Sequence, residues 1–433
     1  MVDRCKAFTL SVISWLHDKF FHSPMGDEMK SFIKNLGVFA FASLLTVPFL
    51  ATVNIVAGRV LGPSEYGKYT LVMSIGQFLI IPMTLGMNTA IIKFTASEES
   101  KKKTVSTGFF SILCFTVIAT IILSLTRDVW VDLFRIEQVV FSFALLYAII
   151  LASKQLSQSI LRGLQAFRLQ SFLEVFSAAI TALVFFGYIL LTPGRTFRVY
   201  ILAIIVAFLI TAIVSFWYKR QYISYRSIRF SVFTKMSHYG LYAILGGLSG
   251  FFLGNIDRIM INHYLDSHHV GIYAAYFSAS MAIVGLGFQV FLNVFFPAVS
   301  KNIDRLAVLT KINRFFRIMM TPIIIFTFFL IWLIIFLFGA QYPTDFVFMG
   351  LFALNTGLFL IGNIKWWFIA SIDTRGVRFT SSHSIVAALL NVTLNIILIR
   401  TIGLLGAIGA TVISSTYLIV LSHYFFERKY VQP

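Results

Sequence analysis

Charged side chains are scarce in this chain of 433 residues, of which only 12% are Asp, Glu, Lys or Arg. Soluble domains contain about 25%. A water-soluble protein of this length could not cover its surface with so few charges, which excludes a cytosolic enzyme and a free nucleic-acid-binding protein. Hydrophobic residues instead make up 58% of the chain and are gathered in uncharged runs of bilayer-spanning length. The composition therefore indicates a membrane protein with several spans.

Cysteine is nearly absent as well, with Cys5 close to the N-terminus and Cys114 inside an apolar run. Two isolated cysteines provide neither a disulfide framework nor the spacing of metal ligands. We therefore expect ordinary thiols at both positions, and we predict that the protein uses no metal and no cofactor.

A cleavable signal sequence is also missing, because residues 1–28 contain no apolar core followed by small residues. We expect the first span itself to direct insertion, preceded by a cytoplasmic segment at residues 1–35. Two interpretations of residues 1–28 stay open. They form a helix lying on the membrane surface, or they are an untranslated stretch upstream of a start at Met29.

Twelve apolar runs have the length of membrane-spanning helices, about 20 residues each. The run that contains Lys154, Gln155 and Gln158 is weaker than the others. In the seventh run, the glycines of LGGLSGFFLG predict close packing against another helix. The sequence thus predicts an all-α polytopic membrane protein with about twelve transmembrane helices, at residues 36–57, 70–92, 107–126, 139–160, 172–191, 197–218, 240–261, 272–297, 316–338, 346–370, 380–400 and 405–426.

The distribution of cations orients these spans. The chain has 35 Lys and Arg against 17 Asp and Glu, a formal net charge of +18. If the N-terminus is cytoplasmic, 27 of these cations lie in cytoplasmic segments and 7 lie in or beside outside loops. This asymmetry follows the positive-inside rule. We therefore predict that both termini are cytoplasmic, and the positive charge gives no reason to expect nucleic acid as a partner.

An internal repeat relates the first six spans to the last six. A shift of 204 residues places 58–74 on 262–278, and a shift near 210 places 163–171 on 373–381. Two related six-helix halves around a central cavity are a transporter architecture, in which one half rocks against the other. The predicted division is an N-terminal bundle, a cytoplasmic hinge loop, a C-terminal bundle and a cytoplasmic tail, at residues 36–218, 219–239, 240–426 and 427–433.

Three motifs carry a resemblance to a known family. LGPSEYGKY after the first span, DRIMINHYLDSHHVGIYAA at the end of the seventh and GLLGAIGATVISS entering the twelfth resemble the polysaccharide flippases of the MOP superfamily, the Wzx-type transporters of O-antigen and capsule units. The resemblance extends over about residues 29–429. It implies a protein of the bacterial inner membrane that moves an undecaprenyl-pyrophosphate-linked oligosaccharide from the cytoplasmic to the periplasmic leaflet. It also implies a cationic central cavity and, in many members, a counterflow of protons or sodium ions.

Further features that are missing weigh against related functions. The first span has no acidic residue, unlike that of drug exporters of the MATE type, and the chain stops two spans short of a lipid II flippase. The longest outside connection, 127–138, is shorter than the catalytic loop of a polysaccharide polymerase or ligase. We expect a transporter rather than an enzyme, with a MATE-like exporter or a membrane-embedded polymerase or ligase as alternatives. Its expected partners are the lipid-linked oligosaccharide, membrane lipids, and polysaccharide polymerase and chain-length proteins.

Cations at membrane depth are the first candidates for substrate binding, since each costs roughly 2.5–3.5 kcal/mol to insert at the centre of a span. Arg258 lies near the outer end of the seventh span, where its planar guanidinium would suit a phosphate group in the cavity. Lys154 and Lys365 are equivalent within one residue under the repeat, so we hypothesise that they bridge one pyrophosphate from opposite halves. The alternative for all three is a side chain that extends to the membrane interface. Arg59, just beyond the first span, completes this set.

Two acids are the candidates for ion coupling. Asp257 and Arg258 are neighbours on a predicted helix and point about 100° apart, so they are not expected to pair with each other. Asp257 alternatively caps a helix or pairs with another one. Glu174 lies two residues into the fifth span, where pairing with Lys154 or a position at the interface is the alternative to a role in coupling.

Overall fold

A computed structural model describes residues 27–97, 100–191, 194–294, 305–372 and 374–426. The predictions for residues 1–26 and for the tail at 427–433 fall outside these ranges. Within them the chain forms thirteen α-helices and no β-strand, which confirms the predicted all-α fold. The helices are α1 (Asp27–Thr84), α2 (Met87–Ser97), α3 (Lys101–Leu125), α4 (Arg127–Phe134), α5 (Gln138–Gly163), α6 (Phe167–Leu191), α7 (Phe197–Tyr218), α8 (Phe230–Tyr264), α9 (Ser267–Val294), α10 (Arg305–Phe338), α11 (Phe346–Ile372), α12 (Thr374–Ile402) and α13 (Leu404–Phe426).

Ten helices in the described part are long and apolar enough to cross a membrane. Helices suit a bilayer because they pair their backbone N–H and C=O groups internally. The predicted spans three to seven and nine to twelve each coincide with one of the ten, and the sixth agrees with α7 at both ends. The first two predicted spans both fall largely on α1, and the eighth falls on α9, which is not among the ten. The polytopic architecture is confirmed, with ten qualifying helices for twelve predicted spans.

Helix α1 consists of two limbs joined at Gly62, whose φ of 74° and ψ of 168° are not helical. Glycine adopts a positive φ readily because it lacks a Cβ atom. Pro63 follows, and proline is favoured at the first position of a helix. The stretch 58–69 lies between the first two predicted spans and was therefore expected to be an outside loop. In the structure it is helical on both sides of Gly62. A second break, at Leu85 and Gly86 with φ of 42° and 70°, separates α1 from α2.

The two halves meet where the second limb of α1 packs against α9. A Cβ atom on Gly67 would lie 1.8 Å from the carbonyl oxygen of Ser267, and one on Gly271 would lie 1.9 Å from that of Pro63. Beside this contact, the Oγ atom of Ser64 is 3.4 Å from Nδ1 of His268. Ser64 and His268 are 204 residues apart, as are Gly67 and Gly271, and 204 is the shift of the sequence repeat. Equivalent positions thus face each other across the interface, as residues near a two-fold axis do.

Further contacts between the halves close this end of the molecule, which we call the Gly62 end. The hydroxyl group of Tyr342 donates to the carbonyl oxygen of Gly58 at 2.9 Å. The ring of Tyr66 packs on those of Phe338 and Tyr342, with centroids 5.6 and 6.4 Å apart. The amide of Asn262 on α8 donates to two carbonyl groups at the end of α4. Helices α1 and α4 of the first half are therefore tied to α8, α9 and the α10–α11 connection of the second.

The opposite end, which we call the hinge end, carries the connection between α7 and α8. This connection is held against the start of α3, because the Ser106 hydroxyl donates to the Tyr222 carbonyl at 2.8 Å and Thr107 Oγ1 accepts from the backbone of Arg229 at 3.2 Å. Helix α8 begins at Phe230, so residues 230–239 of the predicted hinge loop are helical. Met236 in this first part of α8 is buried in a cluster with residues of α2, α3 and α5. The beginning of α8 thus packs on the first half of the chain.

Candidate functional site

A cavity of about 380 Å³ lies between the halves, bordered by α1, α2, α5 and α8. The described part of its wall combines polar and apolar groups and carries no charge. Four amide side chains and two threonines line it together with aliphatic groups, glycines and the ring of Phe251, and no described residue in the wall is charged. The amides are Gln77, Asn88, Gln155 and Asn255.

The glycines of α8 leave room for this cavity. A Cβ atom on Gly246, Gly247, Gly250 or Gly254 would meet no atom within 4 Å. Within the described part of the chain, the close helix packing predicted for these glycines is therefore absent, and Gly247 and Gly250 border open space in the cavity wall. The tight glycine contact on α8 is instead at Gly240, whose carbonyl oxygen would lie 2.2 Å from a Cβ atom on Gly86.

Two of the amides on the cavity wall are hydrogen-bonded to each other. The Nδ2 atom of Asn88 donates to Oε1 of Gln155 at 3.2 Å, which joins α2 to α5. The Oδ1 atom of Asn88 is buried and has no hydrogen-bond partner among the described residues. A buried acceptor without a partner is energetically costly, so this oxygen is a natural contact for a ligand or water hydroxyl.

Arg258 lies beside the cavity rather than in its wall. Its Nη1 atom donates to Oδ1 of Asn255 at 3.2 Å and to Ser74 Oγ on α1 at 3.4 Å. Its guanidinium also lies 4.2 Å from the centroid of the Phe277 ring, and its Nε atom is buried without a partner among the described residues. Arg258 therefore reaches the first half of the chain and orients one amide of the cavity, Asn255.

Asp257 points into the second half of the chain and is only 4% exposed. Its Oδ2 atom accepts hydrogen bonds from the hydroxyl groups of Tyr273 on α9 and Thr411 on α13, at 2.7 and 2.9 Å. Its Oδ1 atom accepts from Nδ2 of Asn395 on α12 at 2.8 Å. Asn395 also bonds to Asn391 one turn earlier, and its own Oδ1 atom is buried without a partner in the described residues. A buried carboxylate held by three neutral donors can take up a cation or a proton.

Sequence reasoning identified Asp257 but missed its partners Tyr273, Asn395 and Thr411, and Asn391, which accepts from Asn395. One signal was present, because Asn391 and Asn395 are four residues apart and therefore lie on one face of a helix within an apolar segment. Nothing in the sequence indicated which acid that face would meet, since the contact depends on how α8 and α12 pack.

Lys154 and Glu174 bind each other within the first half. The Nζ atom of Lys154 is 3.4 Å from Oε2 of Glu174 and 3.8 Å from the centroid of the Phe208 ring. The Nε2 atom of Gln158 donates to the other carboxylate oxygen. Of the alternatives open for Glu174, the pairing with Lys154 is present. Neither side chain lines the cavity.

Lys365, the repeat equivalent of Lys154, has no such partner. It is 9% exposed, on the face of α11 that also buries Ile361, Phe368 and Ile369, and has no hydrogen bond or ion pair with any described residue. At a shift of 210 residues the position of Glu174 is taken by Ser384, which accepts a hydrogen bond from Trp366 at 3.0 Å. Lys154 is engaged by residues of its own half and Lys365 is buried against α11 neighbours, so the bridging of one pyrophosphate by both stays a prediction.

Arg59 lies at the Gly62 end. Its side chain is exposed and runs past Gly339, where a Cβ atom would lie 3.7 Å from Cγ of Arg59. It belongs to the closed contact between α1 and the α10–α11 connection and does not line the cavity. Of the six candidate residues, Arg258 alone is hydrogen-bonded to a cavity side chain.

Comparison with known proteins identifies both a family and a fold. The family model described as polysaccharide biosynthesis protein matches residues 32–303, which is more than half of the chain. A search of curated protein sequences with this chain found no match. Among solved structures, a MATE protein in complex with MaD3S has a TM-score of 0.61 at 16% identity, covering 92% of this chain and 96% of that one.

Two other solved structures are similar over the same shares of both chains, 92% and 96%. An outward-facing multidrug resistance MATE family transporter of the MOP superfamily has a TM-score of 0.59 at 15% identity. A MOP superfamily transporter from Pyrococcus furiosus Vc1, described as having a binding pocket of reverse polarity, has a TM-score of 0.53 at 15% identity. At these identities the similarity establishes the fold alone.

Proposed function

Because this chain belongs to the polysaccharide biosynthesis protein family and has the fold of MOP superfamily transporters, we propose that it is a flippase for lipid-linked oligosaccharides. It moves undecaprenyl-pyrophosphate-linked repeat units from the cytoplasmic to the periplasmic leaflet of a bacterial inner membrane. The units then serve the assembly of a surface polysaccharide such as O-antigen or capsule. The protein carries the substrate across and makes or breaks no covalent bond.

The observation that carries this proposal is the uncharged polar wall of the cavity. Sugar hydroxyl groups both donate and accept hydrogen bonds, and so do the amide groups of Asn88, Gln155 and the other two amides of the wall. An exporter of cationic drugs needs a carboxylate where the cation binds, because a buried charge must be paired. No described residue of this wall is acidic. The wall therefore favours a glycan over a cationic drug.

Because the Gly62 end is closed, we expect the substrate to enter at the hinge end. Backbone contact at Gly67 and Gly271 leaves no passage between α1 and α9 at this end. Lys101, Lys102 and Lys103 are exposed at the hinge end, as are several arginines of the connection between α7 and α8. By the positive-inside rule the hinge end is cytoplasmic. The described state is then one in which the periplasmic side is shut and substrate enters from the cytoplasm.

Coupling to an ion gradient is assigned to Asp257 in this proposal. Its carboxylate does not line the cavity and is held by α9, α12 and α13, whereas Arg258 on the same helix donates to the cavity amide Asn255. Binding of a proton or a sodium ion there changes how α8 is held by α9, α12 and α13. Since α8 also borders the cavity, occupancy of the two sites is linked through one helix.

The test is a proteoliposome assay with an undecaprenyl-pyrophosphate-linked disaccharide as probe. The probe is placed in the inner leaflet, and its arrival outside is read with a lectin that does not cross membranes. We expect exposure of the probe only in vesicles that contain the protein. Vesicles with the Gly250→Leu variant, which places a leucine in the cavity wall, should lose this activity. Gly246→Leu is the control outside the wall, at a glycine where an added Cβ atom also meets nothing within 4 Å.

The same vesicles, loaded with ethidium, distinguish the rival function. If ethidium is exported while the glycan probe stays in the inner leaflet, the flippase proposal is overturned and a drug exporter is supported. Movement of the glycan probe without ethidium export is the result expected here.

A further inference from the structure

We infer that a groove on the outer surface of the first half binds the acyl chain of an anionic phospholipid, whose headgroup contacts cations at the hinge end. The groove has a volume of about 360 Å³, and its described lining residues all belong to α3, α5 and α7. It shares no described residue with the cavity between the halves. The lipid stays bound and does not cross the membrane, so the inference does not depend on the proposed flippase function.

The wall of the groove suits a hydrocarbon chain. Leu113, Val117 and Ile121 follow one another along α3 at intervals of four residues and are 50%, 51% and 54% exposed. Thr116 and Ser153 donate their hydroxyl groups to backbone carbonyl groups at 3.4 and 3.2 Å. None of the described wall residues is charged. An acyl chain therefore covers apolar surface here and leaves neither hydroxyl group without a partner.

The groove has about the length of one leaflet. From Phe109 to Ile121, α3 rises about 18 Å, and half of a hydrocarbon core of about 30 Å is about 15 Å. Phe109 and Phe216, with ring centroids 5.3 Å apart, mark its end toward the hinge side. Trp217 and Tyr218 follow directly and are 65% and 60% exposed, as is typical of aromatic residues at the level of the headgroups. The groove thus begins near the headgroups at the hinge end and extends toward the bilayer centre.

Cations are present at this end of the groove on both helices that border it. The three lysines at 101–103 are exposed in the first turn of α3, the last of them about 9 Å along the helix from Phe109. Arg220 is exposed two residues after the end of α7. The Ser106 hydroxyl donates to the Tyr222 carbonyl and so holds the two groups of cations at the same end. Basic clusters of this kind bind anionic headgroups, which favours an anionic over a zwitterionic phospholipid.

A resident phospholipid fits the groove better than a lipid-linked substrate does. On α5, Ser153 lines the groove and Gln155 lines the cavity, and residues two apart on a helix point about 160° away from each other. A carrier lipid with its chain in the groove would have to bend around α5 to place its glycan in the cavity. The described walls of the groove also belong to one half, so rocking of the halves against each other does not move its occupant between leaflets.

Native mass spectrometry of the purified protein tests this inference with phosphatidylglycerol and phosphatidylcholine of identical acyl chains. We expect one phosphatidylglycerol molecule to bind about tenfold more tightly than phosphatidylcholine, or more. A triple variant, Lys101→Gln, Lys102→Gln, Lys103→Gln, should bind the two lipids about equally. The matched control, Arg195→Gln, Arg198→Gln, removes exposed cations at the opposite end of α7 and should keep the preference. Equal affinities in the unaltered protein, or a preference that the triple variant retains, would overturn the inference.

A second pair of variants tests whether the groove holds the acyl chain. Val117→Trp places an indole ring in the groove and should lower the affinity for phosphatidylglycerol about tenfold. Ile118→Trp adds the same ring at the next exposed position, outside the groove, and should leave the affinity unchanged. Leu113→Trp repeats the test if Val117→Trp does not fold, and unchanged affinity in the groove variants would contradict the assignment. Undecaprenyl phosphate is the third probe. If it binds in preference to phosphatidylglycerol and is lost in the groove variants, the occupant is the carrier lipid and the inference is wrong.

Discussion

At the scale of single residues, Asp257 and Arg258 show how one helix separates two chemistries. The carboxylate is enclosed by donors from α9, α12 and α13, whereas the guanidinium crosses to Ser74 on α1 and to the cavity amide Asn255. The sequence predicted that these neighbours would diverge, because successive residues on a helix point about 100° apart. It could not predict their partners, since Ser74 and Asn395 lie 184 and 138 residues away along the chain.

Replacing Asp257 by Asn removes the charge and retains the shape. Tyr273 and Thr411 can still donate to the remaining carbonyl oxygen, whereas Asn395 then faces an N–H group, so we expect a loss of about 1–3 kcal/mol in stability. The functional expectation is that flipping no longer responds to an imposed proton or sodium gradient. The measurement is the initial rate in vesicles with and without each gradient. Asp266→Asn is the control, an exposed acid paired with His269 at the turn after α8. A wild-type gradient response from Asp257→Asn would exclude the coupling role.

Lys154 and Glu174 form an ion pair whose role we expect to be structural. Their side chains are 15% and 29% exposed, so removal of one partner should cost about 1–3 kcal/mol, less than for a fully buried pair. Thermal unfolding in detergent of Lys154→Met, Glu174→Gln and the double variant measures the coupling. We expect the double variant to be more stable than Lys154→Met, because no unpaired carboxylate remains. A loss of flipping in Lys154→Met at an unchanged melting temperature would instead indicate direct contact with substrate.

At the scale of secondary structure, the bounds of the helices were largely predictable because the bilayer sets the length of an apolar run. Phe197–Tyr218 carries its one charge, Arg198, in its first turn and was predicted at both ends. The start of α8 was not predicted, because the segment FSVFTKMSHY contains polar residues typical of a loop. In the structure this segment is helical, and its Met236 packs on the first half of the chain. Glycines were also misleading. Those at 246–254 border open space, whereas Gly67 and Gly271 provide the close contact.

The α1–α9 contact leads to a prediction for these two glycines. Alanine at Gly67 or at Gly271 would place a methyl group within 2 Å of a backbone oxygen that cannot move independently. Such overpacking costs about 1–3 kcal/mol, which would shift the equilibrium away from the closed Gly62 end by roughly ten- to hundredfold. The measurement is labelling by a maleimide that does not cross membranes, in a Cys5→Ser, Cys114→Ser background. The labelled cysteine replaces Ser74, which is buried in the closed state and contacts Arg258 of the second half.

Both alanine variants should increase this labelling and slow flipping, because the two positions are equivalent under the repeat. Gly187→Ala on α6 is the matched control, since a Cβ atom there would meet nothing within 4 Å. Unchanged labelling in both variants would mean that the close contact at the Gly62 end can open and close without these glycines.

At the scale of the whole molecule, the two halves of the chain are related by the sequence repeat and differ in chemistry. Shifts of 204 and 210 residues place Asp257, Asn395 and Thr411 on Val53, Phe185 and Ile201, all of which are buried in the hydrophobic core. The polar cluster around Asp257 therefore has an apolar counterpart in the first half. The sequence repeat rests on a few identical residues. It did not reveal this difference in chemistry, because the difference lies at positions where the two halves have different residues. An ion site in one half can bias a rocking motion that a symmetric pair of sites would leave balanced.

The rocking motion itself can be arrested at the Gly62 end, where Ser64 and His268 meet close to the axis that relates the halves. A Ser64→Cys, His268→Cys protein, again without Cys5 and Cys114, should form a disulfide in the closed state, since the side chains are already in contact and the backbones touch at the neighbouring glycines. Oxidation is then expected to stop flipping, and a reducing agent should restore it. Each single cysteine variant is the control and should be insensitive to oxidant. Undiminished flipping after complete oxidation would show that this end does not need to separate during transport.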